Sequence, residues 1–146
     1  MRTKLEIHSK YALASCLIVL GIVAIVSIGW IVGAFDLTSF GPHYIPMAPL
    51  TAILFCLLSL TTITQIIGPR RAVNRALCNV FLVVVGTLSI LDLVDFGLSD
   101  PFDFERLLLP NPEAFEKVVV GRISPITSAC FLLAVTAVGV STFFNG

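Results

Sequence analysis

The feature that most constrains the fold is a stretch without charged residues near the amino terminus, from Tyr11 to Ala34. A membrane-spanning helix needs about 20 consecutive apolar residues, and this stretch is longer. Inside a bilayer the backbone must satisfy its own hydrogen bonds, so such a stretch is expected to be helical. A cleaved signal peptide is the rival interpretation. The apolar region of a signal peptide is roughly 7–15 residues long, however, and this stretch is longer. No clear small-residue cleavage site follows it.

Three further apolar stretches follow, and together the four predict an all-α integral membrane protein with four transmembrane helices. The predicted spans are 11–34, 45–67, 76–94 and 124–144, joined by loops over 35–44, 68–75 and 95–123. Within the last loop, 102–109 is predicted to form a short amphipathic helix. Charged residues make up 12% of the chain, against about 25% in soluble domains. We therefore interpret residues 1–146 as a single membrane domain in contact with the lipid bilayer.

The distribution of basic residues predicts the orientation of this domain. Lys and Arg concentrate in the leader before residue 11 and in the stretch from Arg70 to Arg75, whereas the 35–44 loop contains none. The 95–123 loop is acidic. The positive-inside rule therefore predicts that both termini and the 68–75 loop are cytoplasmic and that the other two loops face outward. This pattern is typical of a bacterial plasma (inner) membrane.

The second and fourth spans begin with similar sequences, which indicates two duplicated helix pairs. Ser124 is a favourable N-cap, and Pro125 suits the first position of a helix because proline lacks an N–H that would be unpaired there. At a fixed offset the two copies share four identities: Pro49 and Pro125, Thr51 and Thr127, Phe55 and Phe131, and Leu57 and Leu133.

Asp92 is the only acidic residue inside the predicted spans. Asp92 is either solvated at the level of the lipid headgroups or paired with Arg122 at the start of the fourth span. A row formed by Thr61, Thr64 and Gln65 on one helical face either joins helices, which is the commoner role, or binds a solute. Gly29 and Gly33 have the GxxxG spacing that marks a close helix contact or a dimer face. The alternative is that they are ordinary glycines of a membrane helix.

No pattern of catalytic or metal-binding residues is present. The two histidines, His8 and His43, lie outside the spans, where they could not hold a haem between helices. The four cysteines lie inside spans without metal-ligand spacing, and small packing residues are the favoured interpretation. The sequence contains no phosphate-binding loop, no hydrolase or metalloprotease motif and no basic groove for nucleic acid. We therefore expect no enzyme activity, cofactor, metal ion or nucleic-acid partner.

Two motifs resemble the N-terminal membrane region of bacterial sensor histidine kinases and diguanylate cyclases. The resemblance runs from about Gly29 to Leu133 and includes the 103–110 segment DFERLLLP. Ile123 and Ser128 replace the usual Met and Ala of the family. The residues that carry the motifs are Met47, Pro49, Thr51, Ala52 and Phe55 in the first copy, and Gly121, Arg122, Ser124, Pro125, Thr127 and Phe131 in the second.

This resemblance implies a sensory input module that passes a signal to a cytoplasmic output domain. The sequence contains no kinase or cyclase domain, so we expect a stand-alone or separated copy that acts through an output domain or signalling partner, with a homodimer as one assembly. A small accessory subunit of a membrane complex and an oligomeric transporter are the alternatives; a transporter would need polar residues along a path. The candidate structural or signalling residues are Pro49, Thr51, Asp92, Arg122, Ser124, Pro125 and Thr127.

Overall fold

The fold consists of four long helices in a computed structural model that describes residues 2–34, 38, 46–68, 72–97, 114–115, 118–119 and 123–144. The helices are α1 (Arg2–Val32), α2 (Pro49–Ile67), α3 (Ala72–Gly97) and α4 (Pro125–Phe144). Two short strands, β1 (Ala114–Phe115) and β2 (Val118–Val119), pair antiparallel. All four helices are long and apolar enough to cross a membrane, which confirms the prediction of an all-α membrane protein.

Three of the helices have boundaries that differ from the predicted spans by more than one residue. Helix α1 begins at Arg2, well before the uncharged stretch. Helix α2 begins at Pro49 and not at residue 45, because the residue before a proline avoids the helical region and Ala48 has an extended ψ of 137°. Helix α3 runs from Ala72 to Gly97, so it is longer than the predicted 76–94 span at both ends. The predicted 102–109 helix lies outside the described residues.

The helices pack in the order in which they occur along the chain. Helix α1 packs against α2, α2 against α3 and α3 against α4, with a smaller contact between α2 and α4. The end of α1 meets the start of α2 through Trp30 and Met47, so these two helices are antiparallel. The Phe55–Phe131 and Gln65–Thr142 contacts make α2 and α4 parallel.

The outer surface of the bundle is apolar. Large aliphatic side chains such as Ile31, Val83 and Leu133 are exposed on it. The buried core has two parts: one holds Leu54, Val85 and Phe131 among α2, α3 and α4, and the other joins α1 to α2. An apolar exterior around a small core is expected for helices surrounded by lipid tails.

Gly33 follows the last residue of α1 and caps the helix. Its φ is 73°, a left-handed conformation that L side chains rarely adopt. The Ala34 N–H donates to the Gly29 carbonyl at 2.9 Å, which is the terminal hydrogen bond of a Schellman motif. A Cβ added at Gly33 would meet no described atom within 4 Å. Among the described residues of one chain, Gly33 therefore makes no close helix contact, and the dimer face stays a prediction.

We expect the Gly33→Ala variant to lower the free energy of unfolding by about 1 kcal/mol, because alanine is strained at a positive φ. Gly21 is the matched control, since it lies inside α1 with no described atom within 4 Å of an added Cβ. Gly21→Ala should leave stability unchanged or raise it, because alanine is the better helix former. Unfolding in mixed micelles measures both values. Equal effects of the two substitutions would contradict this account of Gly33.

Candidate functional site

Two carboxylates are buried at the end of the bundle where α1 and α3 finish and α2 and α4 begin. We call this end the acidic end. Asp92 and Asp95 lie about one turn apart on α3 and are only 3% and 7% exposed. A carboxylate shielded from water is costly unless other groups compensate it. Such residues in a membrane helix usually mark a functional contact.

Asp92 is joined to α4 by a hydrogen bond from a buried serine. The Ser128 hydroxyl donates to Asp92 Oδ2 at 2.5 Å, and Ser128 itself is fully buried. Asp92 is buried, so the interpretation of it as a solvated residue is wrong, whereas its depth in the membrane stays a prediction. Arg122, the other predicted partner, lies outside the described residues. The described contact therefore links α3 to the first turn of α4.

The first turn of α4 is fixed by its own cap. The Thr127 N–H donates to the Ser124 hydroxyl at 3.2 Å, and the two side-chain hydroxyls are 2.9 Å apart. Pro125 is the first helical residue. The predicted capping role of Ser124 is confirmed. This cap sets the position of Ser128, which lies one turn further along and faces Asp92.

The start of α2 is attached to α1 at the same acidic end. The indole N–H of Trp30 donates to the Met47 carbonyl at 2.8 Å. The Met47 N–H in turn donates to the Thr38 carbonyl at 2.9 Å. Pro49 is the first helical residue, without a side-chain cap from Ala48. The acidic end thus contains the start of α2 as well as the Asp92–Ser128 contact.

A layer of apolar side chains lies next to this polar end. The Phe55 and Phe131 rings meet edge to face, with centroids 4.8 Å apart and an interplanar angle of 63°. Leu54 and Val85 are fully buried beside them. Phe55 and Phe131 occupy matching positions in the two sequence motifs, so equivalent residues of the two motifs form a direct contact between α2 and α4.

The opposite end of the bundle is held by polar contacts between helices. The Gln65 amide donates to the Thr142 hydroxyl at 2.5 Å, joining α2 to α4. The Cys78 thiol donates to the Thr61 carbonyl at 3.6 Å, joining α3 to α2. The helix-joining interpretation is confirmed for Gln65, whereas the Thr64 hydroxyl bonds within its own helix.

The structure brings most of the predicted site residues to the acidic end. Asp92, Ser124, Pro125 and Thr127 lie around the α3–α4 contact, and Pro49 and a buried Thr51 lie at the start of α2. Sequence reasoning missed the role of Ser128 and the burial of Asp95. Two features of the sequence could have indicated these roles. Asp95 follows Asp92 by three residues and so shares its helix face, and Ser128 is a polar residue where the motif has an alanine.

The chemistry available at this site is hydrogen bonding and charge. Among the residues that the structure describes, no group of three or more His, Cys, Asp or Glu side chains could hold a metal ion. No protein-family model, curated protein or solved structure matches this chain. The resemblance to sensor input regions stays a prediction that depends on the two motifs alone.

Proposed function

We propose that this protein is a membrane-embedded signal-input module in which the acidic end receives a stimulus and α4 transmits it. The observation that carries the proposal is the buried hydrogen bond between Asp92 and Ser128. A buried carboxylate contributes little as packing, so its presence at a helix contact favours a role in setting how two helices lie against each other.

Helix α4 is suited to transmission because it is continuous from one end of the bundle to the other. Its only proline is Pro125 at the first position, where it does not interrupt the helix. Ser128 holds its first part to α3, and Thr142 holds its last part to α2. A change in the Asp92–Ser128 contact would therefore act on α4, which is attached to other helices near both of its ends.

The proposal includes an orientation and a partner. The basic residues favour cytoplasmic termini in a bacterial plasma membrane, which would place the acidic end outside. The similar starts of α2 and α4 support an origin from two duplicated helix pairs. The output would then be read by a cytoplasmic domain or signalling partner, and a homodimer would bring two copies of α4 to it.

Transport is less well supported by the arrangement of side chains. In the described part of the chain, the apolar layer of Phe55, Phe131, Leu54 and Val85 lies between the acidic end and the polar contacts of Gln65. A solute path through one copy would have to cross this layer.

The test fuses a diguanylate cyclase output domain after Phe144 and measures cyclic dinucleotide production in cells. We expect Ser128→Ala to change output by about three- to tenfold, because a membrane hydrogen bond of about 0.6–1.4 kcal/mol would shift a two-state equilibrium by that factor. Ser141→Ala is the matched control, since Ser141 is exposed on the same helix and its hydroxyl donates to the Val138 carbonyl of that helix.

Two results would contradict this proposal. One is unchanged output of the Ser128→Ala fusion at equal membrane levels. The other is a C-terminal fusion of alkaline phosphatase that is active, because this enzyme folds only outside the cytoplasm and its activity would place the end of α4 there. We expect instead a fluorescent C-terminal green fluorescent protein fusion and an inactive phosphatase fusion.

A further inference from the structure

The second and fourth helices use the same position to meet the helix that precedes each of them. At the offset that aligns the two sequence motifs, Ala52 of α2 corresponds to Ser128 of α4. Ala52 is buried in one cluster with Val26 of α1, and Ser128 is buried against Asp92 of α3. The pair α1–α2 and the pair α3–α4 are therefore packed through equivalent residues.

Helix α2 has a second buried face, which packs against α3. Leu54 is fully buried in one cluster with Val85, and the Thr61 carbonyl accepts a hydrogen bond from the Cys78 thiol. Leu50 is buried in the same cluster as Leu54. This face runs along α2 for about three helical turns, so α2 is held between two antiparallel neighbours.

The equivalent face of α4 is exposed in the single copy that the structure describes. At the same offset, the three buried positions of α2 correspond to Ile126, Cys130 and Ala137. Ile126 is 77% exposed, and Cys130 and Ala137 are exposed as well. We call these three residues the open face of α4. It differs from the matching face of α2 in having no α3 against it.

The neighbouring face, by contrast, is exposed on both helices. Ile53 and Leu60 of α2 correspond to Ala129 and Thr136 of α4, and all four residues are exposed. This face is therefore the surface that both helices turn to lipid. The open face of α4 matches a helix-contact surface of α2 and not its lipid-facing surface.

We propose that α1 of a second copy covers the open face of α4, in the place that α3 occupies on α2. The direction of the helix is suitable, because α1 is antiparallel to α2 and α2 is parallel to α4. The α1 helix of the same copy is already packed against α2. Two copies related by a twofold axis would form the contact twice, with α1 of each copy against α4 of the other, which closes the dimer. The inference specifies the homodimer proposed above and does not rest on the role of Asp92.

The equivalence of the helix pairs also indicates which residue of α1 would lie on the open face. Val26 of α1 and Asp92 of α3 occupy equivalent places, and the residues one turn before them are Ile22 and Leu88. Leu88 packs against the buried cluster of α2, whereas the side chain of Ile22 is exposed. Ile22 should therefore contact α4 of the second copy close to Cys130.

Disulfide crosslinking of the full chain in membranes tests this contact. After oxidation with copper phenanthroline, we expect Ile22→Cys to give at least about fivefold more covalent dimer than the original chain, because a disulfide forms only where two Cβ atoms come within about 4.5 Å. Adding Cys130→Ser should remove this dimer. Leu17→Cys is the matched control, since Leu17 is exposed on another face of α1 at nearly the same depth.

Three results of the crosslinking would overturn the proposal. Equal amounts of dimer from Ile22→Cys and Leu17→Cys would indicate random collision. A disulfide between Ile22→Cys and Cys130 of the same copy would mean that the bundle closes on itself. A dimer of the original chain that needs Cys130 would mean that α4 faces α4 of the second copy.

Two identical substitutions on α4 test the open face without crosslinking. Ala137→Leu enlarges a side chain on the open face, and Ala129→Leu enlarges one on the lipid-facing surface. Energy transfer between labelled chains in phospholipid vesicles measures the dimer dissociation constant. We expect Ala137→Leu to raise this constant about tenfold, because small residues allow close helix approach, and Ala129→Leu to stay within about twofold.

Equal effects of the two alanine substitutions, or an original chain that stays monomeric as its density in the vesicles is raised, would overturn the proposal and leave the open face to lipid. These measurements do not use the output of a fused cyclase. A failure here would therefore be distinguishable from a failure of the signalling role of the Asp92–Ser128 contact.

Discussion

The Phe131→Ala variant is expected to lose about 2 to 3 kcal/mol of unfolding free energy. Phe131 is 3% exposed in the core where α2, α3 and α4 meet, and its ring contacts that of Phe55. Truncation of a buried Phe costs about 3–5 kcal/mol in soluble proteins. The lower value is expected here because lipid tails solvate an exposed ring nearly as well as the core does, so lost packing dominates the cost.

Leu133 provides the control for this variant. It lies on the same helix and is 72% exposed, so Leu133→Ala should change the unfolding free energy by less than about 0.5 kcal/mol. A double-mutant cycle of Phe55→Ala and Phe131→Ala should give a coupling energy of about 0.5–1.5 kcal/mol. Additive losses in this cycle, measured by unfolding in mixed micelles, would show that the two motif phenylalanines do not stabilise the bundle together.

The second large effect is expected at the contact between α3 and α4. Asp92→Ala and Ser128→Ala should each destabilise the protein, and their double-mutant cycle should give a coupling energy of about 0.6–1.4 kcal/mol. The reason is that the hydroxyl of Ser128 and the carboxylate of Asp92 are buried against each other. Pairing Asp92→Ala with Ser141→Ala gives the control cycle, in which the coupling should be near zero. Similar coupling in both cycles would contradict a specific contact.

The sequence predicted the parts of this fold that depend on local chemistry. Uncharged apolar stretches determine the four helices, because a backbone in lipid must bond within its own segment. The start of α4 was predicted because a serine followed by a proline forms a cap from neighbouring residues, and the Ser124–Thr127 hydrogen bond has this form. The predicted start of α2 at residue 45 is too early. The helix begins at Pro49, because the residue before a proline avoids the helical conformation.

The contacts between distant residues could not be predicted in the same way. The burial of Asp92 depends on which face of α3 meets α4, and Ser128 is far from it in the sequence. The Gly29–Gly33 spacing fits both a helix contact or dimer face and ordinary membrane glycine. The cap at Gly33 was not predicted, because its positive φ depends on how the chain leaves α1.

The most direct test of the account measures cyclase output for four fusions: the original chain, Asp92→Ala, Ser128→Ala and the double variant, compared at equal membrane levels. If the Asp92–Ser128 contact controls the signal, each single variant should change output and the double variant should match the single ones, because all three break the same hydrogen bond. Effects of the two substitutions that simply multiply, or output equal to that of the original chain in every fusion, would contradict a signal-input module controlled at the acidic end.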